Sequence, residues 1–271
     1  MTWRVFLGRG ADRSRIASEL IDQQVSYRFG GEPGDDLAAA VGREISDGFT
    51  RFAVAGQDAD VAMVVDSALS AGMAGRVDLA LLPGGSRSDL ARTFALDQSL
   101  PAAVARMAHG TPYLIDIGVV SGGFGRAAFL NSVATGLLAG GPAWFPMWPR
   151  PLRVAGPVIV RAGANPVETM ASGVLVLNGQ FWGEWVGAPR STLVDGVVDL
   201  QLFTGRRRVL ARLRPALRTG MHVRSNMVRR LPVAHAEVDQ PPSWMVSVDG
   251  VRIGRGPFTL AVVAGAVRLA I

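Results

Sequence analysis

A turn that could bind an anion lies between residues 79 and 92. A strand-like run at 79–82 is followed by PGGS at 83–86, and DLAR at 89–92 then has the form of a helix start. A strand, a glycine turn and a helix N-terminus together present backbone N–H groups to an anion. The segment therefore predicts an anion site, with Arg92 as a further contact for phosphate.

The composition limits the chemistry of such a site. The chain of 271 residues has no Cys, and its three His residues lie far apart, so disulfides and cysteine-ligated metals are excluded and no histidine metal site is indicated. Any metal would be a hard cation held by oxygen ligands. All 28 basic residues are Arg and the net charge is +6, which suits an anionic membrane surface. The chain has no basic run with interleaved aromatic residues, so the sequence does not predict nucleic-acid binding.

The apolar segments predict neither a signal peptide nor a membrane-spanning helix, because none approaches about 18 uninterrupted apolar residues. The expected localisation is cytoplasmic, with peripheral contact with a membrane as a further expectation. Residues 136–152 contain Trp144, Phe145, Met147 and Trp148 among prolines. This segment suits either an interfacial lipid contact or a loop packed over the second domain.

Strands and helices alternate through the first part of the chain. Strand patterns at 3–7, 24–29, 51–56 and 77–82 alternate with helical spacing at 11–22, 35–46 and 61–71. This order predicts a mainly parallel sheet with helices on both faces. From about residue 113 the pattern changes to short strands separated by turns, which predicts an antiparallel sandwich, and residues 206–220 have helical spacing.

Six further segments, in order, resemble motifs of the diacylglycerol kinase catalytic-domain family, which includes the sphingosine and ceramide kinases. The 83–92 turn is similar to the P-x-G-T-x-N-D-[FL]-A-R motif of that family. The other segments are GEPGDDLAAAV at 31–41, AGQDADVAMVVDSAL at 55–69, IDIG at 115–118 with FLN at 129–131, VLVLNGQFWG at 174–183, STLVDGVVDLQLF at 191–203, and VSVDG at 246–250 with the closing strand at 257–271.

The resemblance implies a two-domain architecture, α/β plus all-β. A Rossmann-like three-layer nucleotide domain would comprise residues 1–113 plus 257–271, and an antiparallel β-sandwich lipid domain would comprise residues 114–256. The closing strand would return to the first domain. The resemblance also implies ATP and Mg²⁺ as cofactors of an active member, and a lipid or another small hydrophobic molecule as partner. The oligomeric state is left open.

Individual residues take roles from the matched motifs. The nucleotide-binding positions are Gly56, Asp58, Asp60, Gly85, Ser86 and Arg92, and the catalytic positions are Asp58 and Asp249. The metal positions are Asp195, with the carbonyls of Thr192 and Val197, and Asp89. Two of these have simpler interpretations that stay open: Asp89 as a helix cap and Asp195 as part of an Asp-Gly turn.

The chain departs from the family where the chemistry would occur. In the segment matching G-G-D-G-T, two glycines are Gln57 and Ala59, which restricts the close approach of the backbone to phosphate. The threonine is Asp60, an anion where a phosphate would lie. The Glu of the family's D-G-E turn is Val251, which cannot act as a base, so Asp249 is the remaining carboxylate of that turn.

Two functions therefore remain open. The first is ATP-dependent phosphoryl transfer to a lipid hydroxyl, with an atypical site. The second is a catalytically inactive family member that binds a lipid or another ligand. A third hypothesis is an enzyme with repurposed chemistry, in which Asp60 is a new acid or base.

Overall fold

The computed structural model describes residues 2–8, 10–31, 36–84, 87–141, 155–205 and 211–271. The chain divides into two compact units. The first, here called the α/β unit, comprises Met1–Ile117 and Val263–Ile271, and the second, the β unit, comprises Gly118–Val262. Two predicted features, the aromatic segment at 144–148 and the start of the helix predicted over 206–220, fall outside the described residues.

The α/β unit alternates strands with helices, as its sequence pattern predicts. In chain order its elements are β1 (Trp3–Leu7), α1 (Arg13–Asp22), β2 (Tyr27–Phe29), α2 (Leu37–Ser46), β3 (Arg51–Gly56), α3 (Asp58–Ser70), β4 (Asp78–Pro83), α4 (Asp89–Thr93) and α5 (Leu100–His109). Local capping helps to define them: the Asp12 side chain accepts from Arg15 N at 3.0 Å at the start of α1.

The sheet of this unit is parallel, with the strand order β2-β1-β3-β4. Helices cover both faces. Ile16 and Val104, from α1 and α5, are buried in one cluster with Val5, whereas Arg4 pairs with Glu44 of α2 at 2.6 Å. Because neighbouring strand residues point to opposite faces, these helices lie on opposite sides of the sheet.

The β unit is built from short antiparallel strands. The long strand β5 (Pro112–Gly122) begins in the α/β unit. It is followed by β6 (Gly125–Phe129), β7 (Ser132–Thr135), β8 (Gly156–Arg161), β9 (Val167–Ala171), β10 (Gly173–Leu177), β11 (Phe181–Trp182), β12 (Trp185–Val186), β13 (Val198–Phe203), α6 (Arg214–Thr219), β14 (Val228–Val233), β15 (His235–Asp239), β16 (Met245–Val248), β17 (Val251–Arg255) and β18 (Phe258–Ala270). Among the residues of this unit that the structure describes, short 3-10 helices occupy Gly136–Leu138, Ala211–Leu213 and Met221–Arg224.

Two sheets enclose the core of the β unit. One has the strand order β14-β13-β10-β7-β16-β17, and the other contains β18-β15-β8-β9. Buried side chains of β13, such as Leu200, pack in one cluster with those of the second sheet, such as Val160 and Val238. The predicted β-sandwich is therefore confirmed. At its C-terminal end β18 pairs with β4, Arg268 opposite Asp78, so the predicted return of the closing strand is also confirmed.

The described helices include none that is both long and apolar enough to cross a membrane.

A two-residue turn at Asp249 and Gly250 joins β16 to β17. Both residues have positive φ, 43° and 85°, as a primed hairpin turn requires. The Asp249 carboxylate accepts hydrogen bonds from three consecutive backbone N–H groups, those of Leu130 at 2.7 Å, Asn131 at 2.9 Å and Ser132 at 2.8 Å. The carboxylate thereby fixes the segment that enters β7 against the hairpin.

A buried polar network lies on the face of β13 that carries Asp199 and Gln201, opposite to the face that carries Leu200. His222 Nε2 is 3.0 Å from Gln201 Oε1, and Gln201 Nε2 donates to Asp199 Oδ2 at 3.3 Å and to Gly187 O at 2.9 Å. Arg230 Nε donates to Asp199 Oδ2 at 3.0 Å. Because His222 is fully enclosed, burial lowers its pKa to about 4. This effect of burial is larger than that of the nearby Asp199 carboxylate, which raises the pKa.

Replacement of Asp249 by Ala tests the structural role of its carboxylate. We expect the free energy of unfolding of the β unit to fall by about 3 kcal/mol, because three backbone N–H groups lose a charged acceptor. Chemical denaturation measures this loss, and Asp239→Ala, at an exposed position on β15, is the matched control. Equal stability of the two variants would contradict the assignment.

His222 makes the stability of the β unit depend on pH. Its pKa in the folded protein, about 4, lies below the unfolded value of 6.5, so the unfolded chain binds the extra proton between these values. This contribution is fully present above pH 6.5 and is lost as the pH falls towards 4, about 3 kcal/mol in all. Denaturation curves across this range should show a shallower pH dependence for His222→Gln. His235→Gln, at an exposed position, is the control. An equal pH dependence of the free energy of unfolding in the two variants would refute the prediction.

Candidate functional site

The strand order of the α/β unit creates a crevice between β1 and β3. The chain leaves β1 towards β2 on one side, and β3 lies on the other side. In open parallel sheets, ligands bind at such a point, beyond the carboxyl ends of the strands. Here the residue that follows β1 is Gly8, and the last residue of β3 is Gly56.

The carboxylate of Asp60 occupies this position. Asp60 lies in the first turn of α3, and its Oδ2 accepts from Gln57 N at 2.9 Å, which forms a capping box. A Cβ added to Gly8 would overlap Oδ2 and come within 2.8 Å of Asp60 Cγ, and one added to Gly56 would come within 2.9 Å of Asp60 Cβ. The two glycines thus leave the space that the Asp60 side chain fills.

The residues around the start of α3 do not fit a phosphate group. A helix N-terminus binds an anion through its N–H groups and its positive dipole end, and here the chain supplies that anion itself. A phosphate beside Asp60 would meet a like charge at short range. Gln57 and Ala59 also carry side chains where the resemblance implies glycine. The chemistry of these residues therefore argues against a nucleotide phosphate at this helix.

The chain after β4, where the predicted turn at 83–92 begins, approaches the segment 56–60 after β3 through another glycine, Gly84. A Cβ on Gly84 would overlap the Cα of Gly56 and lie 2.6 Å from its carbonyl carbon. Ser88 is the N-cap of α4, and its Oγ accepts from Ala91 N at 3.0 Å. The predicted nucleotide-binding residues Gly85 and Ser86 lie outside the described residues.

Asp58 joins these two loops. Its Oδ2 accepts from Asp89 N at 2.8 Å and from Leu90 N at 3.3 Å, across 31 and 32 residues of sequence. The Asp89 side chain forms an ion pair with Arg92, with Nη1 and Oδ1 2.8 Å apart. The structure therefore brings Gly56, Asp58, Asp60 and the start of α4 together, with Asp58 as a cap of α4.

One contributor to this arrangement was missed by sequence reasoning. Gln98, in the loop before α5, accepts from Ser88 N through Oε1 at 3.0 Å and so holds the residue that caps α4. A single Gln ten residues away carries no sequence signal for this role. The close packing of Gly8 against Asp60 likewise depends on two segments that meet only in the folded sheet.

The remaining predicted positions belong to the β unit. Asp195 is exposed, and its Oδ1 accepts from Val197 N at 3.3 Å, with Gly196 at a φ of +73°. Thr192 is also exposed. This geometry is that of an Asp-Gly turn, and the metal position remains a prediction. Val251, at the start of β17, is 49% exposed beside the Asp249 turn.

No cluster of three or more His, Asp or Glu side chains suited to a metal occurs within the described parts of the chain. A site for Mg²⁺ formed there by one or two carboxylates would need backbone carbonyl oxygens or water as further ligands. The observed role of Asp58, as a cap of α4, does not itself require a cation.

Solved structures share the architecture of the whole chain. A crystal structure described as that of a diacylglycerol kinase from Bacillus anthracis str. Sterne matches with a TM-score of 0.81 and 15% identity, and covers 99% of this chain and 94% of the other. Two further structures so described, from the same organism, match with TM-scores of 0.79 and 0.75 at 15% identity; each covers 98% of this chain and 96% of the other. At this identity the likeness establishes the fold. Curated protein sequences gave no match.

Two family models match the sequence, one in each half. Residues 8–120 match the diacylglycerol kinase catalytic domain, and residues 151–271 match the YegS C-terminal NAD kinase beta sandwich-like domain. Their order along the chain agrees with the parallel sheet and the sandwich described above. The chain therefore belongs to the diacylglycerol kinase catalytic-domain family.

Proposed function

We propose that this protein is a family member that binds a lipid or a similar hydrophobic ligand and has lost the ordinary ATP-dependent phosphoryl transfer. The observation that carries the proposal is the Asp60 carboxylate, which accepts a hydrogen bond from Gln57 N at the start of α3, where a phosphate would need that N–H group. Phosphoryl transfer depends on positioning and on stabilising phosphate charge. A fixed negative charge in the crevice opposes both.

The proton acceptor is weakened as well. Val251 has no basic atom, and the Asp249 carboxylate already accepts three backbone hydrogen bonds. Proton abstraction from a lipid hydroxyl would compete with these bonds, so Asp249 supports a structural role better than a catalytic one. No catalytic step through ATP or Mg²⁺ follows from this geometry, since residues 56–60 do not fit the nucleotide phosphates.

A second candidate function is lipid phosphorylation at an atypical site. It is favoured by the second loop, where Asp89 and Arg92 retain the family's residue types and form an ion pair. In this hypothesis Asp58 and Asp89 would organise Mg²⁺, Ser86 and Arg92 would hold phosphates, and Asp249 would accept the proton. The hydrogen bond that Asp60 accepts from Gln57 N does not support the third hypothesis, in which Asp60 is a new acid or base.

Nucleotide binding separates the first two functions. We expect no heat when ATP and Mg²⁺ at millimolar concentration are titrated into the protein, and no transfer of labelled phosphate to diacylglycerol in mixed micelles. Asp60→Thr should raise nucleotide affinity about tenfold or more, because it removes one charge beside the phosphate position. Adding Gln57→Gly and Ala59→Gly should raise it further.

Asp22→Thr is the matched control, because it removes an exposed carboxylate of the same unit at the end of α1. Phosphate transfer by the unmodified protein would overturn the proposal in favour of the second function. An Asp60→Thr variant that binds nucleotide no better than Asp22→Thr would show that Asp60 does not block the crevice.

The ligand can be identified from the protein as purified. We expect native mass spectrometry, followed by lipid extraction, to show a bound lipid in about equimolar amount, because the family resemblance implies a lipid domain in the second half of the chain. A protein purified without any bound lipid, which also fails to take up lipid from added micelles, would contradict the binding function. This outcome is independent of the nucleotide titration.

A further inference from the structure

A strongly basic surface surrounds α6 in the β unit. We define the basic cap as the four arginines Arg212, Arg214, Arg218 and Arg224 together with Met221. Arg212, Arg218 and Arg224 are exposed, Arg214 is partly exposed, and the side chain of Met221 is 49% exposed. The basic cap is not part of any position that the family motifs assign.

Buried anchors position the exposed side chains of the basic cap. Leu213 and Leu217 are buried in one cluster with Phe203 of β13. Helix α6 ends at Gly220, with a φ of 75°, where a Cβ would overlap Pro189. The following 3-10 helix is anchored by fully buried His222 through Gln201. Residues three apart in a 3-10 helix lie above one another, so Met221 and Arg224 share its exposed side.

The basic cap has little negative charge to neutralise it. The sequence contains no acidic residue between Asp199 and Glu237. Asp199 is buried and pairs with Arg230. None of the four cap arginines forms an ion pair with a carboxylate of the described residues. The neighbouring β11–β12 hairpin and the turn after it add one exposed residue of each sign, Glu184 and Arg190.

We propose that the basic cap docks the protein on an anionic lipid membrane. Arginines near such a surface are attracted by its negative potential, and an exposed apolar side chain among them can enter the headgroup region. Single-stranded nucleic acid fits less well, because single strands are bound by stacking on exposed aromatic rings, and the aromatic residues nearby, Trp182 and Trp185, are buried. This inference goes beyond the proposed ligand binding and does not depend on nucleotide chemistry.

Vesicle co-sedimentation of the full chain tests the proposal. We expect binding to vesicles of phosphatidylcholine and phosphatidylglycerol, weaker binding at high salt, and little binding to phosphatidylcholine alone. Arg218→Ala/Arg224→Ala should weaken binding about 25-fold, since each arginine near the surface contributes roughly a factor of five. The matched control is Arg252→Ala/Arg255→Ala, which removes two exposed arginines of the same unit on β17 and should leave binding within about twofold.

Two outcomes would overturn the proposal. Equal losses in the cap variant and the control would assign binding to the overall charge of the protein. Binding to a DNA duplex that is tighter than binding to vesicles and unaffected by Met221→Ser would assign the basic cap to nucleic acid. The membrane proposal instead expects Met221→Ser to weaken vesicle binding and to leave DNA binding unchanged. Thermal unfolding of each variant establishes that it is folded.

Discussion

The first turn of α3 carries its own anion, and the surrounding backbone is shaped to receive it. Asp60 accepts from Gln57 N, and Gly8 and Gly56 lack the side chains that would occupy the same space. Gly84 in turn lies against Gly56, so the backbone of the segment 56–60 determines where the chain can leave β4. One carboxylate thus caps the start of α3 and fills the crevice between β1 and β3, and the ligands that this crevice can accept depend on this contact.

Other motif carboxylates are used to hold backbone. Asp58 caps α4 from the adjacent loop, and Asp249 holds the segment entering β7 through three N–H groups. Charged acceptors of this kind stabilise backbone donors more strongly than neutral ones. Asp58 and Asp249, which both match the residue type of the family motif, therefore hold neighbouring backbone segments in place. The positions that resemblance assigns to phosphate and proton transfer, Asp60 and Val251, differ from the family.

Much of the fold follows from local sequence patterns. Alternating strand and helix signals predict the parallel sheet, because each helix must cover a sheet face, and the change near residue 113 predicts the sandwich. The division found in the structure lies at 117/118 and 262/263. The return of the last strand to β4 followed from the resemblance rather than from periodicity, because a strand pattern does not specify its partner.

The sequence by itself determined the family, the two kinds of sheet and the identity of the altered residues, because these depend on residue order and on periods of a few residues. Only the tertiary structure decided what those residues touch. Gly8 meets Asp60, Gln98 holds Ser88, and Asp249 reaches Leu130 across 119 positions. Such contacts depend on how strands and loops converge in space, and no local pattern of side chains records that convergence.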